Sequence, residues 1–276
     1  MGKVIAVTNR KGGTGKTMTS VSLGAALARH GKKVLIVDAD SQHSATVSLG
    51  VAEPDKLDVT LATIMRNIIN EQEVDPAEGI ISHDEGMYLM SSNNGLAGME
   101  IALAPIIGRE TVLRQYIDKV RGLFDYILID TAPTLDLLAV NALAAADSVI
   151  IPVAPKFLDA KGLELLLKSI AQTRKHINPN LAIGGILLTL VDRRANISKN
   201  IITMIKQAYG ESINIFSQPI PHSVRAVETS ATGKSIFEHD PNGKVATAYA
   251  SLAQELLTEE LRTGELLAKQ VFTEEV

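Results

Sequence analysis

The residues from Lys11 to Thr17 read Lys-Gly-Gly-Thr-Gly-Lys-Thr, a combination suited to holding phosphate. They follow a short apolar run, Val4–Thr8, and precede a segment of helical pattern that begins near Lys16. Glycines let the backbone wrap closely around a phosphate, and the N–H groups at a helix N-terminus supply positive potential. In such a loop Lys16 would reach the β- and γ-phosphates of a nucleotide, and the Thr17 hydroxyl would ligate Mg²⁺. The sequence therefore predicts a P-loop that binds ATP with Mg²⁺.

The loop departs from the pattern G-x-x-x-x-G-K-[ST] at one position, because Arg10 stands where the first glycine is expected. The strand before the loop and the helix after it are both in place, as phosphate binding requires. We expect the nucleotide to contact these residues: Lys11, Gly12, Gly13, Thr14, Gly15, Lys16, Thr17 and Met18.

Two other apolar runs end in carboxylates. Val34–Asp38 continues through Ala39 to Asp40, and Tyr126–Ile129 is followed by Asp130. The carboxyl ends of parallel strands face the crevice in which α/β sheets bind ligands. A carboxylate there can orient a water for in-line attack on the γ-phosphate, or help to hold Mg²⁺ through water. Asp38 would equally suit the capping of the next helix, whereas Asp130 is typical of a Walker B carboxylate that steadies the Mg²⁺ shell.

These side chains need a sheet to bring them together, and the hydrophobic pattern predicts one. Most strand candidates are continuously apolar, as in strands covered on both faces. The predicted strands are Val4–Thr8, Val34–Asp38, Met87–Ser91, Tyr126–Asp130, Ser148–Val153, Ile183–Leu190 and Ile213–Pro219. The predicted helices span about 16–29, 58–69, 95–104, 109–121, 135–145, 159–176, 196–209 and 244–263. This alternation indicates an α/β fold with a mostly parallel, doubly wound sheet flanked by helices.

The chain has 276 residues, which we divide into one P-loop domain, residues 1–257, and an acidic C-terminal helix extension or tail, residues 258–276. It contains no cysteine, so disulfides, iron–sulfur clusters and thiolate metal sites are excluded. No apolar run approaches the ~20 residues of a membrane span, and we expect a cytoplasmic protein without a membrane partner.

The net charge of −4 is unevenly distributed. Residues 51–100 carry a net charge of −8, whereas residues 156–206 carry nine basic side chains against three acidic ones. The basic stretch is explained either as the solvated face of helices or as a local anion-binding face on an acidic protein.

Beyond these residue-level arguments, the sequence resembles the ParA/MinD class of P-loop ATPases, and most closely its ParA branch. The loop KGGTGKT resembles the deviant Walker A motif of that class, with a lysine opening the loop. VLIVDADSQ is similar to its second motif, and YILIDTAPTLDLLAVNAL to its Walker B and switch region. GILLTLVDRRANIS and the segment from PIPHSVRAVE to ASLAQEL are similar to the C-terminal part of ParA proteins.

The resemblance implies a partition ATPase that forms an ATP-sandwich homodimer and converts ATP slowly to ADP and phosphate in the presence of Mg²⁺. Lys11 would be the signature lysine that reaches the partner subunit's ATP, and Lys16 the lysine of the loop itself. Asp40 would position the attacking water, and Pro221 lies where the family packs adenine. Asp130 would act on the metal through water.

The resemblance also implies a DNA cargo: a plasmid, a chromosome or a mobile element. Arg194 and Arg225 fall on positions that bind non-specific double-stranded DNA in chromosomal relatives, which would place the ATP-bound protein on the nucleoid. A ParB-like centromere-binding protein would stimulate hydrolysis. The sequence departs from the family pattern at four positions near these sites: Met18, Ser41, His222 and Ser223.

Other members of the superfamily give the alternatives. A MinD-like ATPase that cycles on membranes needs a basic amphipathic C-terminal helix, whereas residues 258–276 have a net charge of −3. A nitrogenase-reductase-type protein needs cysteines, which the chain lacks. A positioning or regulatory relative that does not act on DNA stays open.

Overall fold

The strands and helices alternate along the chain in a computed structural model, which describes residues 2–134, 136–192 and 194–273. For residues 157–161 and 259–273 it describes the backbone alone. The strands found in these residues are β1 (Lys3–Val7), β2 (Val34–Ala39), β3 (Ile80–Ser82), β4 (Met87–Met90), β5 (Tyr126–Thr131), β6 (Ser148–Val153) and β7 (Ala182–Leu188). The α-helices are α1 (Lys16–Arg29), α2 (Ser44–Ser48), α3 (Leu61–Ile69), α4 (Met99–Leu103), α5 (Val112–Val120), α6 (Leu137–Ala145), α7 (Phe157–His176), α8 (Asn196–Tyr209), α9 (Val224–Glu228), α10 (Ile236–His239) and α11 (Lys244–Thr273).

The strands form one sheet in the order β3-β4-β2-β5-β1-β6-β7. Every neighbouring pair is parallel except β3 and β4, which are antiparallel. The register pairs Asp38 of β2 with Asp130 of β5, and Asp130 with Val7 of β1. The P-loop, which follows β1, therefore starts at the edge of the sheet where both carboxylates lie.

Helices cover both faces of the sheet, and each face has its own apolar core. One core contains Ile5, Ile36 and Leu128 of the strands with the buried sides of α1 and α11. The other contains Leu35 and Ile127 with the buried sides of α3, α5, α6, α7 and α8. Since consecutive strand residues point to opposite faces, strands buried on both sides are apolar throughout. This explains the uninterrupted apolar runs of the sequence.

The predicted fold class, a mostly parallel α/β sheet flanked by helices, is confirmed. The bounds of β6, α1 and α8 match the predicted bounds. The predicted strand Ile213–Pro219 is wrong. This segment lies beside β7 and exchanges backbone hydrogen bonds with Ile186, but it forms isolated bridges and not a strand. After the bonds of Ile186, the next backbone bond to β7 runs from Ile220 N to the Leu188 carbonyl, two residues later than regular parallel spacing from Phe216 would put it, so no continuous ladder forms.

The sequence did not reveal β3 or the single-turn helices α2, α9 and α10. In contrast, α11 continues to Thr273, ten residues beyond its predicted end. No helix within the described residues combines the length and apolar composition that a membrane crossing requires. The division into residues 1–257 and 258–276 stays a prediction.

Candidate functional site

The P-loop has the local conformation that its glycines predict. Gly13 and Gly15 have φ angles of 71° and 83°, in the left-handed region that side chains disfavour. Gly15 is the N-cap of α1, so the free N–H groups at the start of this helix point toward the loop. The loop and the start of α1 line a cleft of about 540 Å³, which we call the P-loop cleft. This cleft is a ready anion-binding site.

Hydrogen bonds tie the phosphate loop to neighbouring parts of the sheet. The Asn9 side chain donates to the Pro152 carbonyl at 2.7 Å and accepts from the Lys11 backbone N–H at 3.0 Å. The Thr189 hydroxyl, from the residue after β7, donates to the Thr14 carbonyl at 2.7 Å. The loop is therefore fixed to β6 and to the end of β7.

Thr17 and Asp130 lie together at the base of the loop. The Thr17 hydroxyl donates to Asp130 Oδ2 at 2.8 Å, and the Ser20 hydroxyl, one helical turn later, donates to Oδ1 at 2.9 Å. Asp130 is fully buried, and this burial, followed by the nearby charge of Asp38, raises its pKa; the two hydroxyl donors and Lys16 act in the opposite direction. Hydroxyl and carboxylate oxygens are the ligands that Mg²⁺ prefers, so the donor set fits that ion.

Lys16 brings a positive charge into the same place. Only 7% of its surface is exposed, and its Nζ donates to the Lys11 carbonyl at 3.3 Å. Burial lowers the pKa of Lys16, and the charges of Asp130 and Asp40 counteract this effect. A phosphate in the cleft would supply further negative charge beside the ammonium group, which favours its protonated form.

Asp38 and Asp40 have different surroundings. The Asp38 carboxylate is fully buried and accepts hydrogen bonds from Thr46 N and Oγ1 at 2.8 and 2.7 Å. It thus caps α2, which is one of the two roles the sequence left open. Burial raises the pKa of Asp38 to about 6. Asp40 lines the P-loop cleft, and its Oδ1 accepts from Gln42 N at 2.9 Å.

The rest of the P-loop cleft is largely apolar. Pro221 lines it, as does Met18 at the start of α1. Other lining side chains are Val21, Leu190, Ile220, Ala226, Val227, Val245 and Tyr249. A site with cations and N–H groups at one end and an apolar wall beyond them suits a nucleotide, since phosphates and a base need these two surroundings.

The structure places the predicted site residues in three groups. Those that line the cleft are Gly12, Gly13, Gly15, Lys16, Thr17, Met18, Asp40 and Pro221. Thr14 and Asp130 are buried behind this lining. Lys11, Arg194 and Arg225 are exposed and do not line the cleft.

Sequence reasoning missed Ser20 and Thr189, which fix Asp130 and the loop, respectively. Ser20 stands three residues after Thr17 on α1, so helical spacing puts both hydroxyls on one face. That spacing was a usable signal. Thr189 is 175 residues from Thr14, and nothing in the local sequence marks the contact.

Comparison with known proteins identifies the family of the chain. Residues 2–183 match a family model described as an AAA domain. The chain is 40% identical over 260 residues to the sporulation initiation inhibitor protein Soj of Bacillus subtilis, covering 93% of this chain and 98% of that protein. It is 33% identical to the chromosome partitioning protein ParA of Caulobacter vibrioides, covering 94% of this chain and 95% of that protein.

A solved structure supports the same relationship. The crystal structure of cobyrinic acid a,c-diamide synthase from Mycobacterium smegmatis, with bound ATP analog and magnesium, superposes with a TM-score of 0.81 at 35% identity. The match covers 93% of this chain and 95% of that one. The P-loop geometry, the family model and relatives that match over nearly their full lengths show that the chain belongs to the ParA family of P-loop ATPases.

Proposed function

We propose that this protein is a partition ATPase: it binds ATP with Mg²⁺, forms an ATP-dependent homodimer on DNA and hydrolyses ATP slowly. The observation that carries the ATPase part is the arrangement of Lys16, Thr17 and Asp130 around a preformed phosphate loop. The relatives named for partitioning and the ATP-analog-bound M. smegmatis structure support this assignment.

Each part of the cleft has a role in this function. The loop backbone and Lys16 bind the phosphates, and Thr17 holds Mg²⁺, with Asp130 acting through a water. Pro221 packs against the adenine. Asp40 orients the water that attacks the γ-phosphorus, while the bond to the bridging oxygen breaks and leaves ADP and inorganic phosphate.

Lys11 is suited to act on a second subunit. Its main chain is fixed, because its N–H donates to Asn9 and its carbonyl accepts from Thr14 Oγ1 and Lys16 Nζ. Its side chain is exposed, and Gly12 and Gly13 beside it are exposed as well. A cation held at a fixed backbone position can stabilise phosphoryl charge across an interface, as arginine fingers do.

The proposed DNA face contains Arg194 and Arg225. Both arginines are exposed, and the segments that carry them meet: Val191 N donates to the Ile220 carbonyl at 3.0 Å, and His222 N to the Val191 carbonyl at 3.2 Å. Arg225 lies 3.7 Å from Glu228, which offsets part of its charge. Exposed arginines bind the phosphate groups of DNA without reading its sequence, and the affinity for DNA falls as the salt concentration rises.

The ATPase is tested with Lys16→Ala and Lys11→Ala. Lys56→Ala is the matched control, because Lys56 is an exposed lysine that forms an ion pair with Glu53, away from the P-loop cleft lining. We expect Lys16→Ala to abolish binding of a fluorescent ATP analogue, and Lys11→Ala to retain binding but lose hydrolysis and ATP-dependent dimerisation in light scattering. Hydrolysis at the wild-type rate in either variant would show that the assigned site is wrong.

DNA binding is tested by retention on non-specific duplex DNA. Retention should require ATP, fall steeply as salt is raised, and disappear in the Arg194→Glu/Arg225→Glu double variant, which should still bind ATP. Arg66→Glu is the control, because Arg66 is exposed and lies in the acidic segment of residues 51–100. Equal retention with and without nucleotide would refute ATP-dependent loading, and unchanged retention of the double variant would place the DNA face elsewhere. No retention under any condition would favour the positioning or regulatory ATPase that does not act on DNA. With DNA binding established, a ParB-like partner should accelerate hydrolysis, and the ATP-bound protein should localise to the nucleoid.

A further inference from the structure

A closed ring of hydrogen bonds lies under the loop that joins β2 to α2. The Ser92 hydroxyl donates to the Asp40 carbonyl at 2.7 Å, and the Asp40 N–H donates to Asp38 Oδ1 at 3.2 Å. Asp38 Oδ2 accepts from the N–H and the hydroxyl of Thr46. The ring closes where Ser92 N donates to Thr46 Oγ1 at 2.9 Å.

The ring is cut off from water. Asp38, Thr46 and Ser92 are fully buried, and only 6% of Asp40 is exposed. Hydrogen bonds in such surroundings hold their geometry, because a group that breaks its bond is left buried without a partner. Three of the bonds are accepted by the Asp38 carboxylate, which strengthens them further.

The bonds to Asp40 involve its main chain, and this leaves its side chain for another task. Its N–H and its carbonyl are both held by the ring, so the backbone at this residue is fixed on both sides. Its Oδ1 accepts from Gln42 N, whereas Oδ2 has no hydrogen-bond partner among the described residues. Asp40 lines the P-loop cleft together with Gln42 and Ser44.

We propose that Ser92 and Thr46 are positioning residues for hydrolysis: their buried hydroxyls fix the Asp40 backbone so that its carboxylate faces the γ-phosphate side of the P-loop cleft. This inference rests on the proposed role of Asp40 in orienting water. Helix capping alone would account for the bonds between Thr46 and Asp38, but it does not account for Ser92. Ser92 follows β4, on a separate part of the chain, and its hydroxyl binds Asp40 itself and not a group of α2.

Two independent substitutions test the ring. Ser92→Ala removes the donor to the Asp40 carbonyl, and Thr46→Val replaces the central hydroxyl with a methyl group of similar size. Thr46→Ser keeps the hydroxyl and is the conservative variant. Ser169→Ala is the matched control, because the Ser169 hydroxyl also donates to a backbone carbonyl, on α7 and outside the cleft lining.

We expect Ser92→Ala and Thr46→Val to lower kcat for ATP by roughly 10- to 100-fold, the loss that a small displacement of a reacting group produces. The KM and the Kd of a fluorescent ATP analogue should stay within about 2-fold of wild type, since neither residue lines the P-loop cleft. Thr46→Ser should restore most of kcat, and Ser169→Ala should leave it unchanged.

The outcomes separate this inference from the proposed function. If Asp40→Ala abolishes hydrolysis while Ser92→Ala and Thr46→Val both keep the wild-type kcat, the ring has no positioning role and the proposed function stands. A parallel loss of kcat, nucleotide affinity and thermal stability in both variants would make the ring merely structural and overturn the inference. Hydrolysis at the wild-type rate in Asp40→Ala would remove the premise, and with it the role of the ring.

Discussion

The hydrogen bond from Thr189 to the phosphate loop gives the most direct quantitative prediction. Thr189 is 1% exposed, and its hydroxyl donates to the Thr14 carbonyl at 2.7 Å. Thr189→Val keeps the shape of the side chain but removes the donor, so a buried carbonyl loses its partner. Such a loss costs about 1–3 kcal/mol in the free energy of unfolding.

The same energy should be visible in two measurements. For a chain of this size each kcal/mol lowers Tm by about 2–4 °C, so we expect the nucleotide-free Thr189→Val variant to melt about 2–12 °C below wild type. If the released loop has to be restored when ATP binds, the Kd for ATP with Mg²⁺ rises by up to the same energy, about 5- to 140-fold. Differential scanning fluorimetry and titration of a fluorescent ATP analogue measure the two effects.

Thr189→Ser is the matched control. It keeps the donor and removes one methyl group, which lies near Gly15 and is worth about 0.8 kcal/mol if fully buried. The serine variant should therefore melt closer to wild type and bind ATP with nearly normal affinity. The hydrogen bond does not stabilise the loop if the valine variant melts within about 1 °C of wild type with unchanged Kd, or if both variants are impaired equally.

Three further predictions concern other parts of the protein. Gly233→Ala should lower Tm more than Gly31→Ala. Both glycines have positive φ, but of the two only Gly233 would place a Cβ against another backbone atom, Gly50 Cα, at 2.8 Å. Equal melting temperatures of the two variants would contradict this contact. The pKa of Asp38, raised to about 6, predicts that the free energy of unfolding falls by up to about 3 kcal/mol as pH rises from about 4 to above 6, because the unfolded chain ionises first. Denaturant titrations should show a smaller fall of the free energy of unfolding with pH in Asp38→Asn than in wild type. An identical pH profile in the two proteins would contradict the raised pKa of Asp38. Removal of Mg²⁺ with EDTA should abolish ATP hydrolysis, since the Thr17 hydroxyl then holds no cation; unchanged hydrolysis would place the metal elsewhere.

The sequence predicted the phosphate-binding half of the site well, because that half is local. β1, the glycines and α1 follow one another within 30 residues, and each has a pattern of its own. The position of Asp130 could also be predicted, since the end of a parallel strand must lie at the same edge as the P-loop. The prediction of the position of Asp130 therefore depends on the topology of the sheet and not on the motif alone.

The parts that escaped prediction depend on contacts between distant segments. Ser92 and Thr46 are 46 residues apart, and neither belongs to a motif. The helix α2 has five residues, too few for a hydrophobic pattern, and Asp38 stabilises its N-terminus from β2. Short elements of this kind form only because tertiary partners complete their hydrogen bonds, so local sequence carries little information about them.

The two sides of the phosphate loop differ in a way that bears on catalysis. Lys16, Thr14 and Asp130 are buried and held by hydrogen bonds, whereas Lys11 and Gly12 are exposed. Phosphoryl transfer is accelerated most where fixed charges act in a site closed to water. One subunit therefore supplies a preorganised half of such a site and leaves its other half open to solvent. In the proposed dimer, a second subunit that covers Lys11 and Gly12 would complete it, and Lys11 would enter the site of that subunit in return. If the proposed dimer forms, we expect hydrolysis to be slow in the isolated subunit, because the closure that the second subunit supplies is missing.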